Sequence, residues 1–71
     1  MQVWEYTTTR RSRELKSDGR SWGPWEPDDL NALLNQMGAQ GWELVAVTGR
    51  SDQPGDGATT SEVFVFKRPK G

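Results

Sequence analysis

The octet Gly38-Ala39-Gln40-Gly41-Trp42-Glu43-Leu44-Val45 leaves few folds open, because it ends a helix and starts a strand within a few residues. Upstream, Leu30, Leu33, Leu34 and Met37 fall at i, i+3, i+4 and i+7, one apolar stripe of an amphipathic helix. Pro27 suits the first helical position, and Asp28 and Asp29 place negative charge against the positive end of the helix dipole. In that frame Glu26 is the N-cap, a poor one, and Trp25 and Leu30 form a hydrophobic staple. At the other end Gly41 is expected in the left-handed conformation, setting Trp42 at C″ against Met37 at C3 in a Schellman ending. Gly38, inside the last turn, weakens the helix by about 1 kcal/mol relative to alanine.

Three segments read as strands. Val3 to Arg10 combines Val, Trp, Tyr and three threonines, with Trp4 and Tyr6 on one face. Trp42 to Thr48 and Glu62 to Arg68 are apolar on both sides for most of their length, and the second of these suits a central position. Residues 11–25 have no sustained period and hold the turn pairs Asp18-Gly19 and Gly23-Pro24, which predicts a long connecting loop. A small hairpin closed by Asp18-Gly19 has only Leu15 and Trp22 to support it. Residues 49–61, rich in Gly, Ser, Thr and Asp, predict a flexible loop. The expected fold is α+β in the order β-α-β-β: one helix on a three-stranded antiparallel sheet ordered 1-3-2, with a right-handed crossover through the helix.

With 71 residues the chain is one domain, 1–71, that hides only about 60% of the surface its unfolded chain exposes. It has no cysteine, so disulfides are excluded, and domains of this size often gain stability by self-association. The net charge of −1 argues against a polyanion binder as a whole, although residues 1–25 carry five Arg and Lys against three Asp and Glu. No secretion signal and no membrane-spanning run is present, which makes the cytoplasm the expected compartment and a membrane no partner.

Trp4-Glu5-Tyr6, Leu33-Leu34-Asn35, Gly38-Ala39-Gln40-Gly41-Trp42-Glu43-Leu44-Val45 and Phe66-Lys67-Arg68-Pro69 together resemble the domain of unknown function 4177 family. The resemblance spans nearly the whole chain, with the Gly-Trp-Glu-Leu-Val junction its most specific part. It implies a small β-α-β-β domain of bacteria or their phages with no activity to carry over. The chain departs from the family's pattern in residues 11–25 and in its Gly/Asp loop.

No histidine and no cysteine are present, which removes the side chains most used for general base catalysis, thiol chemistry and transition-metal binding. No catalytic residue, cofactor or metal site is assigned, and the chain is read as a non-enzyme. Glu26, Asp28 and Asp29 are explained by the helix dipole, and Asp52 and Asp56 lack the density of a calcium loop.

Two surfaces remain. Arg10, Arg11, Arg13, Lys16 and Arg20 with Trp22 form a candidate single-stranded nucleic-acid contact, in which cations neutralise phosphates and indoles stack on bases. Glu14 and Asp18 dilute this run, and a solvated loop pinned by its tryptophans explains it as well. The other surface comprises Val45, Val47, Val63 and Val65 with Val3, a sheet face that a single helix cannot also cover. A second subunit or the 11–25 loop with Trp22 has to cover these valines. The sequence thus predicts a homodimeric, non-catalytic interaction module with an unidentified protein partner, and ranks nucleic-acid binding through residues 10–25 second.

Overall fold

In a computed structural model, residues 1–52 and 59–71 are described, residues 50–52 through their backbone alone. Strand β1 (Trp4–Glu14) is followed by helix α1 (Leu30–Ala39) and strands β2 (Glu43–Asp52) and β3 (Thr59–Pro69). The sheet is ordered β1-β3-β2, and β3 runs antiparallel to both neighbours. This is the α+β architecture read from the sequence. The apolar run of β3 explains its central place, since a strand flanked on both sides exposes neither edge.

The helix C-terminus follows the expected geometry. Gly41 has φ of 86°, a region where a Cβ is disfavoured. Its N–H donates to the Gly38 carbonyl at 2.9 Å and the Trp42 N–H to that of Met37 at 3.1 Å, the paired bonds of a Schellman ending. The N-terminus differs from expectation. The helix starts at Leu30 and its N-cap is Asp29, whose carboxylate accepts from the Ala32 N–H at 2.9 Å. A short aspartate reaches back to the third residue of the helix, whereas Glu26 at the expected position does not, so the better cap sets the start. The staple of Trp25 on Leu30 is lost with that frame.

The loops are also shorter than the sequence indicates. β1 continues to Glu14, so residues 11–14 of the expected connection are strand, registered against Glu62, Ser61, Thr60 and Thr59. The Asp18-Gly19 hairpin forms as well. Leu15 bridges Trp22, and further back Ser12 and Glu26 exchange both backbone hydrogen bonds, at 3.1 and 2.7 Å. Asp18 holds the turn, accepting from the N–H groups of Arg20 and Ser21 and from the Ser21 hydroxyl. Residues 49–52 and 59–61 of the expected 49–61 loop belong to β2 and β3, while 53–58 lie outside the described residues.

Only Met37, Phe64 and Phe66 are buried hydrophobic residues among those described, with Leu30, Leu33, Leu34 and Trp42 packed around them. The helix therefore covers the Phe64 and Phe66 face of the sheet. A bulge interrupts β2: Leu44 is opposite Phe66 and Ala46 opposite Val65, leaving Val45 without a partner across the ladder.

Candidate functional site

Register assigns each β side chain to a face, because residues directly opposite across an antiparallel ladder point the same way. Glu5, Thr7, Thr9, Arg11 and Arg13 of β1 share the helix side with Phe66, Phe64 and Glu62 of β3. The opposite, open face carries Trp4, Tyr6, Thr8 and Arg10 of β1, Val63, Val65 and Lys67 of β3, and Ala46 and Thr48 of β2.

This geometry divides the expected valine face. Val63 and Val65 occupy the open face, but Val47 is registered opposite Phe64 and so belongs to the helix side. The cause is the bulge: one extra residue at Val45 reverses the two-residue alternation beyond it. Val45 sits on the bulge itself, and Val3 lies just before β1, its carbonyl accepting from the Lys70 N–H at 2.9 Å. The surface centred on Val63 and Val65 gains neighbours outside the expected valine set: Tyr6, 63% exposed, and Trp4, whose ring lies 4.3 Å from the Lys67 ammonium. Their period-2 spacing with Thr8 was the available signal.

Trp22 does not cover the valines. Leu15, its bridge partner, continues the odd-numbered series of β1 on the helix side, and there the Arg13 guanidinium carbon lies 5.1 Å from the Trp22 ring and 4.7 Å from that of Trp25. Arg11 stacks on Trp25 at 4.3 Å, approaches Phe64 at 5.9 Å and donates from Nε to Glu62 Oε1 at 2.6 Å. Its side chain is 13% exposed. Trp25, freed from the staple, thus joins two arginines to the core.

The six residues of the expected nucleic-acid contact are accordingly scattered. Arg11 and Arg13 are partly buried on the helix side, Arg10 faces the open side, and Lys16 and Arg20 are exposed around the hairpin, with Trp22 half-buried against Arg13. Of the acidic residues, Asp29 caps the helix. The Asp18 carboxyl is held below the usual carboxylate range, chiefly by the backbone N–H of Ser21, then by that of Arg20 and by the Ser21 hydroxyl. Asp56 lies outside the described residues. Among the described residues no three His, Cys, Asp or Glu side chains group as metal ligands, and no helix is long and apolar enough to cross a membrane.

A cleft of about 360 Å³ opens where β1 meets the returning loop, lined by Arg13, Glu14 and Lys16 on one side and Gly23, Pro24 and Glu26 on the other.

A family model described as Domain of unknown function (DUF4177) matches residues 4–69. No curated protein and no solved structure matches the chain.

Proposed function

The chain belongs to that family of unknown function, and from this premise we propose that it is a non-catalytic interaction module that pairs with a second copy of itself across the open sheet face. One observation carries the reading: the helix and both loop tryptophans occupy one side of the sheet, while Val63, Val65, Tyr6 and Trp4 lie together on the other. A core with so few buried side chains gives the monomer little margin, which favours association. Magnitudes set the strength. Three strands of up to eleven residues, at about 3.4 Å per residue and about 4.8 Å between strands, offer roughly 500 Å² per copy. A pair would bury on the order of 1,000 Å², the lower end for a specific interface, so a micromolar dimer is expected rather than an obligate one. Arg10 and Lys67 at the rim, with Glu43 opposite Lys67, allow mixed-charge contacts around an apolar centre. The cytoplasmic location expected from the sequence belongs to the same reading.

Light scattering at tens of micromolar tests it. The protein should run as a dimer, and Val65→Asp should give a folded monomer, because a charge at the centre of the contact would be buried unpaired. Gln36→Asp, on the exposed side of α1, should leave the dimer intact. A wild-type monomer at that concentration would refute the reading. A salt-sensitive complex with single-stranded DNA or RNA would favour the second-ranked function instead.

A further inference from the structure

β1 lies at one edge of the sheet, with β3 along its inner side. Successive residues of an antiparallel strand turn their backbone N–H and C=O groups to opposite sides, and the bonds at the two ends of β1 assign the alternation. The Val3 carbonyl accepts from Lys70, which continues β3, so odd-numbered residues face β3. Ser12 exchanges both its backbone bonds with Glu26 on the outer side, so even-numbered residues face outward. The register between these ends is unbroken. Trp4, Tyr6, Thr8 and Arg10 therefore present their backbone groups along the outer edge, where they have no backbone partner among the described residues. From Ser12 onward the returning segment through Trp22 and Glu26 closes that edge, while the half before it stays open. An open strand edge is a template for another strand, and no proline, lysine or bulge blunts this one.

We propose that a second copy of the chain pairs its β1 antiparallel with this open edge, joining the two sheets into one. The open length sets the register. Thr7 is the middle of the run from Trp4 to Arg10, so a two-fold axis at Thr7 sets Trp4 opposite Arg10 of the second copy and Tyr6 opposite its Thr8. Outward-facing groups then meet outward-facing groups in about eight backbone hydrogen bonds. A register closer to Ser12 would drive Trp4 into Glu26 of the second copy. Even-numbered residues pair with even-numbered ones, so both helices stay on one side of the joined sheet. The side chains agree with this register. Trp4 meets the Arg10 guanidinium and Tyr6 meets Thr8 on the open face, Thr7 meets itself and Glu5 meets Thr9 on the helix side, and no like charges are opposed. An unrelated extended peptide would share the backbone bonds but not this match, which selects a second copy. So short an edge buries less than about 1,000 Å², and pairing is expected only in the submillimolar range. The contact does not rest on the open-face reading, because it uses the strand edge and leaves that dimer as the species at tens of micromolar.

Amide hydrogen exchange reads the edge directly. In dilute solution the Tyr6, Thr8 and Arg10 amides should exchange much faster than those of Thr7 and Thr9, which face β3. Between about 20 µM and about 1 mM the three outward amides should slow about threefold or more, with Thr7 and Thr9 unchanged. Thr8→Pro removes an outward N–H and no bond to β3, so it should keep the fold and abolish the slowing at Tyr6 and Arg10. If Thr8→Pro fails to fold, a mixture of isotope-labelled and unlabelled wild type decides: the Thr7 α-protons of the two copies face each other in a non-hydrogen-bonded pair and should give a cross-copy contact by NMR. Val65→Asp should keep the slowing, which separates this contact from the open-face one. The proposal is overturned if the outward amides exchange alike at both concentrations, or if Thr7 and Thr9 slow equally. It is also overturned if folded Thr8→Pro slows like the wild type, if the mixture shows no Thr7 contact, or if folded Val65→Asp loses the slowing.

Discussion

On one side of β3, Phe64 and Phe66 lie beneath Leu30, Leu33, Leu34 and Met37, and beyond the helix the layer continues as alternating rings and guanidinium groups from Trp22 to Arg11. On the other, their sequence neighbours Val63 and Val65 face outward between β1 residues and Ala46. Adjacent residues on one strand therefore live in different solvents. A strand with apolar side chains on both faces needs two covers, and the described residues supply one.

The sharpest way to break that contrast is to truncate neighbours. Phe66, 1% exposed, should cost about 3–5 kcal/mol as Phe66→Ala, enough to unfold a domain of this size in urea. Val65→Ala should cost about 1 kcal/mol or less in dilute solution. Equal losses at low concentration would erase the distinction between the faces, while a Val65→Ala loss that grows with protein concentration would tie it to association.

Charge reversal gives the next largest difference. Arg11→Glu would set two carboxylates together in a largely buried site and should cost about 2–4 kcal/mol by denaturant titration. Arg10→Glu, exposed on the open face, should change stability by less than about 0.5 kcal/mol. Adding Glu62→Arg to Arg11→Glu should recover part of the loss. If the Arg11 variant melts like the wild type, the ring and guanidinium layer is not a second core.

Two glycines at the C-terminal end of α1 should respond with opposite signs. Gly41→Ala should destabilise by about 1 kcal/mol, because its φ is positive. Gly38→Ala, in a helical position with open space around the added carbon, should stabilise by up to about 1 kcal/mol. Thermal melts of the two variants should bracket the wild type.

The smallest effect belongs to the hairpin. A carboxyl whose folded pKa is depressed stabilises above its unfolded pKa and loses that contribution as the pH falls through the folded value. The Arg20 and Ser21 amide resonances should therefore shift in acid with a midpoint below that of an ordinary aspartate, and Asp18→Asn should abolish the shift.

What could be read from sequence here follows the range of the interactions concerned. The stripe of α1, the Gly41 ending and the apolar run of β3 are written in residues within one or two turns of each other, and each appears in the structure as read. Sequence alone misplaces the start of α1 because Asp28 and Asp29 fit the dipole in either frame, and only Asp29's bond to Ala32 separates them. The pattern of β1 stops short at Arg10 because Arg11, Ser12 and Arg13 look like solvated loop until Glu62 and Trp25 are placed beside them by long-range pairing. The bulge was invisible for the opposite reason: Leu44-Val45-Ala46-Val47 is apolar throughout, so no polar residue marks where the alternation reverses. The single valine face followed from that uniformity. The cleft at Arg13 joins two segments that the sequence treats as one formless loop.

The central strand is also the last of the three in sequence, and this orders the folding of the chain. β2 meets β3 across a short connection, with Asp52 opposite Thr59, whereas β1 must close spans from Glu14 to Thr59 up to Trp4 to Pro69. Loop closure is least costly for the near pair, so the expected folding nucleus is the β2–β3 hairpin with α1 laid on Phe64 and Phe66, and β1 is expected to dock last along with the tryptophans that follow it. Substitutions in β2 and β3 then slow folding, while those in β1 chiefly hasten unfolding. Until β3 is available, neither β1 nor β2 has a sheet to join.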